Sequence, residues 1–150
     1  MSTELEERHA ILDEHRQVML LVARVDECAC ADVRRDKAWG TDLAGRVGGL
    51  LAQLELHFSG DVEVSMFEEL AQSAPHLIGK LEALVAEHPQ ILADFRKVAE
   101  TAVEVDLTDS DAGVRLAMMA RKAIARLRRH EAEENEIIIR AIWEDIGAGG

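Results

Sequence analysis

The sequence predicts an all-α protein, an up-down-up-down four-helix bundle. Its 150 residues include two prolines and no tyrosine, and aromatic residues make up 3% of the chain. Good helix formers dominate, chiefly alanine, leucine, glutamate and arginine. Apolar residues recur at helical spacing in four long segments joined by short connections. Because such helices bury their apolar faces against one another, we expect a single domain over residues 1–150, with a flexible tail at 147–150.

The first two helices are predicted from their apolar stripes. One covers residues 3–31. The second is expected to take Thr41 or Asp42 as its N-cap and to run to about Leu70, with a bend or close packing at Gly60. The apolar positions are Leu5, Leu12, Met19 and Val22 in the first helix, and Leu43, Val47, Leu50, Leu51, Leu54 and Phe58 in the second.

The third helix is predicted to start at Ser73, followed by an early proline at Pro75. Pro89 inside it removes a backbone N–H group, so a kink is expected there. The fourth helix is expected from about Ser110 to Ile146, where a run of glycines would end it. The apolar positions are Leu77, Leu81, Leu84, Leu92, Phe95 and Val98 in the third helix, and Val114, Met118, Leu127, Ile138 and Ile142 in the fourth.

Charge and cysteine content limit the function classes. Seventeen basic and 29 acidic residues give a net charge of −12, which disfavours nucleic acid and anionic membranes as partners. The first residues are acidic and polar, and no apolar run approaches the roughly 18 residues that cross a bilayer. Cys28 and Cys30 have neither disulfide nor zinc-finger spacing. We expect a cytoplasmic protein, and the sequence leaves open whether it forms a homodimer.

Each predicted helix carries one histidine at helical spacing from the apolar residues of its own stripe. Two of these histidines are followed by an acidic residue on the same helix face: Asp61 comes four residues after His57, and Glu134 four residues after His130. The four inward histidines are His15, His57, His88 and His130.

These histidines indicate a metal site inside the bundle. His9 and His76 lie about 120° around their helices from the inward histidines and are expected at the surface. A single histidine in an apolar stripe is usually a hydrogen-bonded core residue. Four imidazoles and two carboxylates, however, are costly to bury unless they are paired or coordinated. A bound transition metal meets that cost most simply, and a mixed nitrogen and oxygen donor set favours iron.

The motifs around these residues resemble the hemerythrin-like HHE cation-binding domain. They read DEHR, LHFSGD, AEHPQIL and RRHEAEEN, in the family's order, and the resemblance spans nearly the whole chain. It implies two iron ions bridged by oxide or hydroxide inside a four-helix bundle, with dioxygen, hydrogen peroxide or nitric oxide as small ligands. It also implies the roles of terminal imidazole ligands for His15, His57, His88 and His130, and of bridging carboxylates for Asp61 and Glu134.

Two departures from the family pattern leave the nature of the site open. Leu92 stands where the family's oxygen carriers have a second histidine, which frees a coordination position for peroxide chemistry. Asp61 stands where the family usually has glutamate, so its reach is shorter by one methylene. A zinc site or a single metal ion is therefore an alternative. Asn135 occupies a position where some members carry an aspartate ligand, but we prefer Glu134 because an amide is a poorer ligand.

Two function classes follow from the resemblance. The first is binding or redox chemistry of dioxygen or peroxide, including a catalase-like decomposition of peroxide. The second is a sensing or interaction module that a metal rigidifies without turnover, and a degenerate bundle without metal is a third reading. The ferritin-like diiron pattern, Glu-x-x-His on two helices, is disfavoured because that spacing occurs only from Glu6 to His9.

Overall fold

The computed structural model describes residues 2–60 and 68–149, and within these ranges it contains α-helices and no strand. Residues 68–73 are helical, and a 3₁₀ turn at Pro75–Leu77 leads into the helix that begins at Ile78. The prediction of an all-α fold is confirmed. The helices are α1 (Ser2–Cys30), α2 (Lys37–Phe58), α3 (Ile78–Val85), α4 (His88–Glu104) and α5 (Ser110–Gly149).

Four long helices form the bundle. α1 packs against α2 and α5, and α4 packs against the same two helices, so the four close into a ring. Helices that follow one another in the chain are therefore neighbours in space, as the short connections predict. The main apolar core inside the ring includes Val18, Val22, Leu43, Val47, Leu50, Phe95, Val98, Leu116, Ile124 and Leu127.

A second, smaller apolar cluster lies where α3 meets the late part of α5. It includes Leu77 and Leu81 near α3 and Ile137 on α5, together with Ile11 on α1. Along α1 and α5, a short polar stretch separates this cluster from the main core. The bundle is thus apolar at two levels with a polar layer between them.

The start of α2 differs from the prediction. Asp36, rather than Thr41 or Asp42, is the N-cap, and its carboxylate accepts a hydrogen bond from the backbone N–H of Trp39 at 3.0 Å. The Trp39 ring is buried, and its Nε1 donates to the carbonyl oxygen of Cys28 at 2.9 Å. This contact ties the end of α1 to the first turn of α2.

The ends of the middle helices also differ from the prediction. α2 ends at Phe58 instead of continuing to Leu70. The single third helix expected from the sequence is divided, because α3 ends at Val85 and α4 begins at His88. The kink predicted at Pro89 is instead a break of two residues before α4, and Pro89 lies in the first turn of α4, where it has no N–H to continue a helix.

The longest helix, α5, continues to Gly149, past the end predicted at Ile146. Two of its predicted core residues, Val114 and Met118, are 46% and 53% exposed, so that prediction is wrong. Leu116 and the alanines beside it face the core instead. No helix in the described ranges has an apolar stretch long enough to cross a membrane.

Candidate metal centre

Six polar side chains lie buried together between the two apolar clusters. None is more than 6% exposed, although each carries a group that interacts strongly with water. Four helices supply them: α1 and α2 give one each, α4 gives its first residue, and α5 gives three. They are His15, His57, His88, His130, Glu131 and Glu134.

Four of these residues form one group, the four-residue group, whose donor atoms all lie within 4.8 Å of one another: His15, His57, Glu131 and Glu134. Nε2 of His15 is 3.2 Å from an oxygen of Glu131 and 3.3 Å from an oxygen of Glu134. Nε2 of His57 is 3.6 Å from the other oxygen of Glu131. Two imidazole nitrogens and two carboxylates thus converge on a common point.

His88, His130 and Glu134 form a second group, the three-residue group, with donor atoms again within 4.8 Å. Nε2 of His130 lies 3.1 Å from Oε2 of Glu134. Because Oε1 of the same carboxylate faces His15, Glu134 belongs to both groups. Its two oxygens therefore join the two donor sets through one side chain.

The converging atoms lack hydrogen bonds. Nε2 of His15, His57 and His130 and all four oxygens of Glu131 and Glu134 are buried without a hydrogen-bond partner among the described residues. Buried polar atoms normally have one, and their absence is costly. Donor atoms that share one ion at roughly 2.1 Å lie no more than about 4.2 Å apart, and the four nitrogen–oxygen distances given above, 3.1 to 3.6 Å, are below this limit. The residues therefore fit a bound cation.

Side chains outside the two groups fix the orientation of the imidazoles. Nδ1 of His15 donates to the amide oxygen of Asn135, and Nδ1 of His130 donates to Glu87 at 2.9 Å. In each ring this hydrogen bond leaves Nε2 as the nitrogen that faces the buried carboxylates. Metal-binding histidines in proteins are usually held by such a bond from the second nitrogen.

Phe58, the last residue of α2, packs against the three-residue group. Its ring stacks on His88 with centroids 3.7 Å apart and planes 5° apart. It also makes an edge contact with His130, with centroids 5.8 Å apart. Because His88 opens α4 directly after the helix break, this stacking and the Pro89 boundary together set the position of its ring.

Burial and charge act in opposite directions on these residues. Burial lowers the pKa of His57, but contact with Glu131 and the charges of Glu131 and Glu134 raise it to about 9. The pKa of His15 and that of His130 are raised in the same way.

His88 behaves differently from the other buried histidines. Burial and the nearby positive charge of His130 lower its pKa to about 4. Burial would raise the pKa of Glu134, but contacts with His130 and His15 hold it well below its usual range. The Glu134 carboxylate thus stays ionised and attracts positive charge, which protons or a metal ion can supply.

The structure brings together five of the six residues expected from the sequence. Asp61, the sixth, lies outside the described residues. Glu131 was missed, although it follows Leu127 by four residues and precedes Ile138 by seven, which places it in the apolar stripe of α5. The five residues that were predicted from the sequence and lie in the two groups are His15, His57, His88, His130 and Glu134.

The remaining histidines and the cysteines lie elsewhere. His9 and His76 are exposed, as predicted. Cys28 and Cys30 are free thiols, one buried and one exposed. Burial raises the pKa of Cys28 to about 11, so its thiolate is disfavoured. None of these four residues belongs to either buried group.

A four-helix bundle with a buried cluster of histidines and glutamates at its centre defines a class of helical proteins that hold cations. A family model described as the hemerythrin HHE cation binding domain matches residues 7–142. Because this match covers most of the chain, the protein belongs to the hemerythrin HHE cation-binding domain family. Searches of curated proteins and of solved structures find no match. Family membership and the buried cluster together indicate a metal-binding site.

Proposed function

We propose that the protein is a non-heme iron protein that holds two iron ions and binds or reacts with dioxygen, hydrogen peroxide or nitric oxide. One ion would lie in the four-residue group and the other in the three-residue group. The observation that supports the proposal most is the position of the Glu134 carboxylate, which has one oxygen facing each group. We also propose Asp61 as a further carboxylate ligand, because the family resemblance implies a carboxylate at this position, four residues after His57 in the sequence.

The donor chemistry supports iron. Four imidazoles with two buried glutamates form a mixed nitrogen and oxygen set. Magnesium and calcium prefer oxygen donors alone, and structural zinc sites usually include cysteine, although catalytic zinc sites use histidine and glutamate, so zinc stays the alternative metal. Both free cysteines lie outside the two groups. Iron accommodates imidazole and carboxylate together.

Iron would supply the one-electron and two-electron steps that dioxygen and peroxide chemistry requires. The protein's own residues bring the donors together, exclude water and set the local charge. Glu131 and Glu134 bring −2 against the +4 of two ferrous ions, so an anionic ligand is favoured beside them. The bonds from Asn135 and Glu87 hold two of the imidazoles ready for binding, which reduces the ordering needed.

Metal content and peroxide consumption test the proposal together. The protein is loaded with ferrous ion under nitrogen, its iron per chain is measured, and the loss of added hydrogen peroxide is followed. We expect two irons per chain and peroxide consumption that needs the metal. The double variant His57→Ala/His130→Ala should lose both. His76→Ala is the matched control, because that histidine is exposed.

Three other results would each contradict a different part of the proposal. If the protein bound two irons but did not react with peroxide, dioxygen or nitric oxide, the result would favour a sensing module without turnover. One ion per chain would support a single-metal site in the four-residue group, which is favoured as the alternative because it has one more ligand residue than the other group. Unchanged metal content and stability in the double variant would show that the buried cluster does not bind metal.

We further propose a cytoplasmic location, because Cys28 and Cys30 are unpaired and one of them is exposed. Free thiols persist in a reducing compartment. The acidic net charge of −12 supports the proposal that nucleic acid and anionic membranes are not partners. Light scattering at increasing protein concentration distinguishes a monomer from the homodimer that the sequence leaves open.

A further inference from the structure

A cavity among the described residues lies far from the histidine cluster. It has a volume of about 890 Å³ and lies between the α1–α2 connection and the α4–α5 connection. Lys37, at the start of α2, lines it, whereas His57 lies in the last turn of the same helix. At 1.5 Å per residue these two positions are about 30 Å apart. The cavity is therefore separate from the candidate metal centre.

One wall of this cavity is cationic in an otherwise acidic chain. Arg34, Arg35 and Lys37 line it, and none of them has an ion pair among the described residues. The acidic residues of the lining are already engaged. Asp36 caps α2, and Asp106 accepts two hydrogen bonds from a neighbouring threonine. The three cations and two carboxylates leave the lining with a net charge of +1, in a chain whose net charge is −12.

Arg35 is held in place before any ligand binds. Its guanidinium lies 5.7 Å from the ring centroid of Trp39. Its side chain also runs so close to Gly113 that a Cβ atom there would be 2.8 Å from the Arg35 Cβ. The Nε atom is buried with no hydrogen-bond partner among the described residues. A buried donor of this kind is costly unless an acceptor meets it.

The opposite wall is apolar. Val103, Val105, Leu107 and Val114 line it, supplied by the end of α4, the following connection and the start of α5. Val103 is 68% exposed and Val114 46% exposed, so both valines present apolar surface to the cavity. A cationic wall and an apolar wall thus face one cavity.

We propose that this cavity binds a small organic anion with an apolar body. The anionic head group would accept hydrogen bonds from Arg35 and be attracted by Arg34 and Lys37, and the body would lie against the valines. The volume falls within the range of small-molecule sites, which combine apolar walls with a few placed polar groups. The proposal does not depend on the metal, so it can fail or hold independently of the proposed function.

Anilinonaphthalene sulfonate is a suitable probe, because it joins a sulfonate to two apolar ring systems and fluoresces when bound. It is titrated into the full-length protein, with and without metal. We expect one saturable site in both forms. The variant Arg35→Gln/Lys37→Gln should bind about tenfold more weakly or worse, as loss of a charge-assisted hydrogen bond predicts. Arg121→Gln, which removes an exposed charge outside the cavity, should bind normally.

A second variant guards against a loss caused by misfolding. Arg34→Gln/Lys37→Gln removes two exposed charges and leaves the packed Arg35 side chain intact, so it should weaken binding without lowering the melting temperature. The neutral analogue phenylnaphthylamine should bind at least about tenfold more weakly than the sulfonate. Equal affinity of the analogue, no saturable binding, or full affinity in both double variants would overturn the proposal.

Competition distinguishes the head groups that could bear this charge. Decanoate carries a carboxylate on an apolar chain, and phenyl phosphate carries a phosphate on a ring. Displacement of the probe by either one supports the proposal and identifies the head group. Inorganic phosphate should need a higher concentration than these competitors to displace the probe. If it displaced the probe at the same concentration as the stronger of the two competitors, the proposal would be overturned, because the apolar wall would then contribute nothing.

Discussion

Glu134→Gln and Glu131→Gln should affect metal binding in different ways, although the two glutamates lie one helical turn apart on α5. Glu134 belongs to both groups of donors, whereas Glu131 belongs only to the four-residue group. Glutamine keeps the shape of the side chain but replaces the carboxylate by a neutral amide, a weaker ligand. Glu134→Gln should therefore weaken both metal equivalents, and Glu131→Gln only one.

The size of the effect follows from the contacts. Glu134 places one oxygen 3.3 Å from Nε2 of His15 and the other 3.1 Å from Nε2 of His130. Losing a residue that merely orients a ligand costs 10–100-fold in metal affinity. Losing a ligand itself should cost about 100-fold or more, which is about 2.7 kcal/mol per ion. In Glu131→Gln the three-residue group should keep its affinity within about threefold, or about 0.7 kcal/mol.

Calorimetric titration with ferrous ion under nitrogen measures both equivalents separately. Glu133→Gln is the matched control, because this glutamate lies on the same helix but is exposed. The control should titrate like the unaltered protein. If Glu134→Gln lost only one equivalent, or Glu131→Gln lost both, the inference that Glu134 alone is shared between the groups would be refuted.

Three further predictions concern orientation, protonation and packing. Asn135→Ala should weaken the four-residue group by about 10–100-fold, because the His15 ring loses its hydrogen bond; titration checks this. Since the pKa of His57 is raised from 6.5 to about 9, its protonation stabilises the metal-free protein fully below pH 6.5, and this is lost as the pH rises through 9. Metal binding near pH 7.5 should release that proton, and equal heats in buffers of different ionisation enthalpy would contradict this. Gly40→Ala would place a Cβ 2.6 Å from Leu107 and should destabilise the fold by about 1–3 kcal/mol in thermal unfolding.

The bundle could be predicted because helical periodicity is a local property of the chain. The inward face of α2, including His57, follows from spacing alone, whereas on α1 the predicted Leu12 and Met19 are half-buried and their neighbours Ile11 and Val18 are fully buried. Alanine carries little of this signal. The first half of α5 is rich in alanine, and the stripe there was predicted from the larger Val114 and Met118, which lie on an exposed face. Leu116 and small residues face the core instead.

Helix ends depend on contacts that spacing does not reveal. Thr41, Asp42 and Asp36 are all acceptable N-caps by residue type. The choice of Asp36 goes with the burial of Trp39, whose Nε1 reaches a carbonyl of the preceding helix. Pro89, by contrast, acts on its own backbone, which is why an interruption near this residue could be predicted, although as a kink and not as a break.

The site was only partly predictable for a related reason. Glu131 follows His130 directly and so lies about 100° around the helix from it. Glu131 was not predicted, because one inward position was assigned to each helical turn. A cluster at the centre of four helices accepts side chains from both positions. The bond between His15 and Asn135 joins residues 120 positions apart, and the bond between His130 and Glu87 joins residues 43 apart. Only the packed fold reveals such pairs.

Two metal ions are expected to share the Glu134 carboxylate. A crystal structure of the iron-loaded protein, with anomalous scattering measured on both sides of the iron absorption edge, tests this arrangement. Two iron peaks should appear, one beside His15 and His57 and one beside His88 and His130, each next to an oxygen of Glu134. A single peak, or iron bound only at the protein surface, would rule out a shared carboxylate.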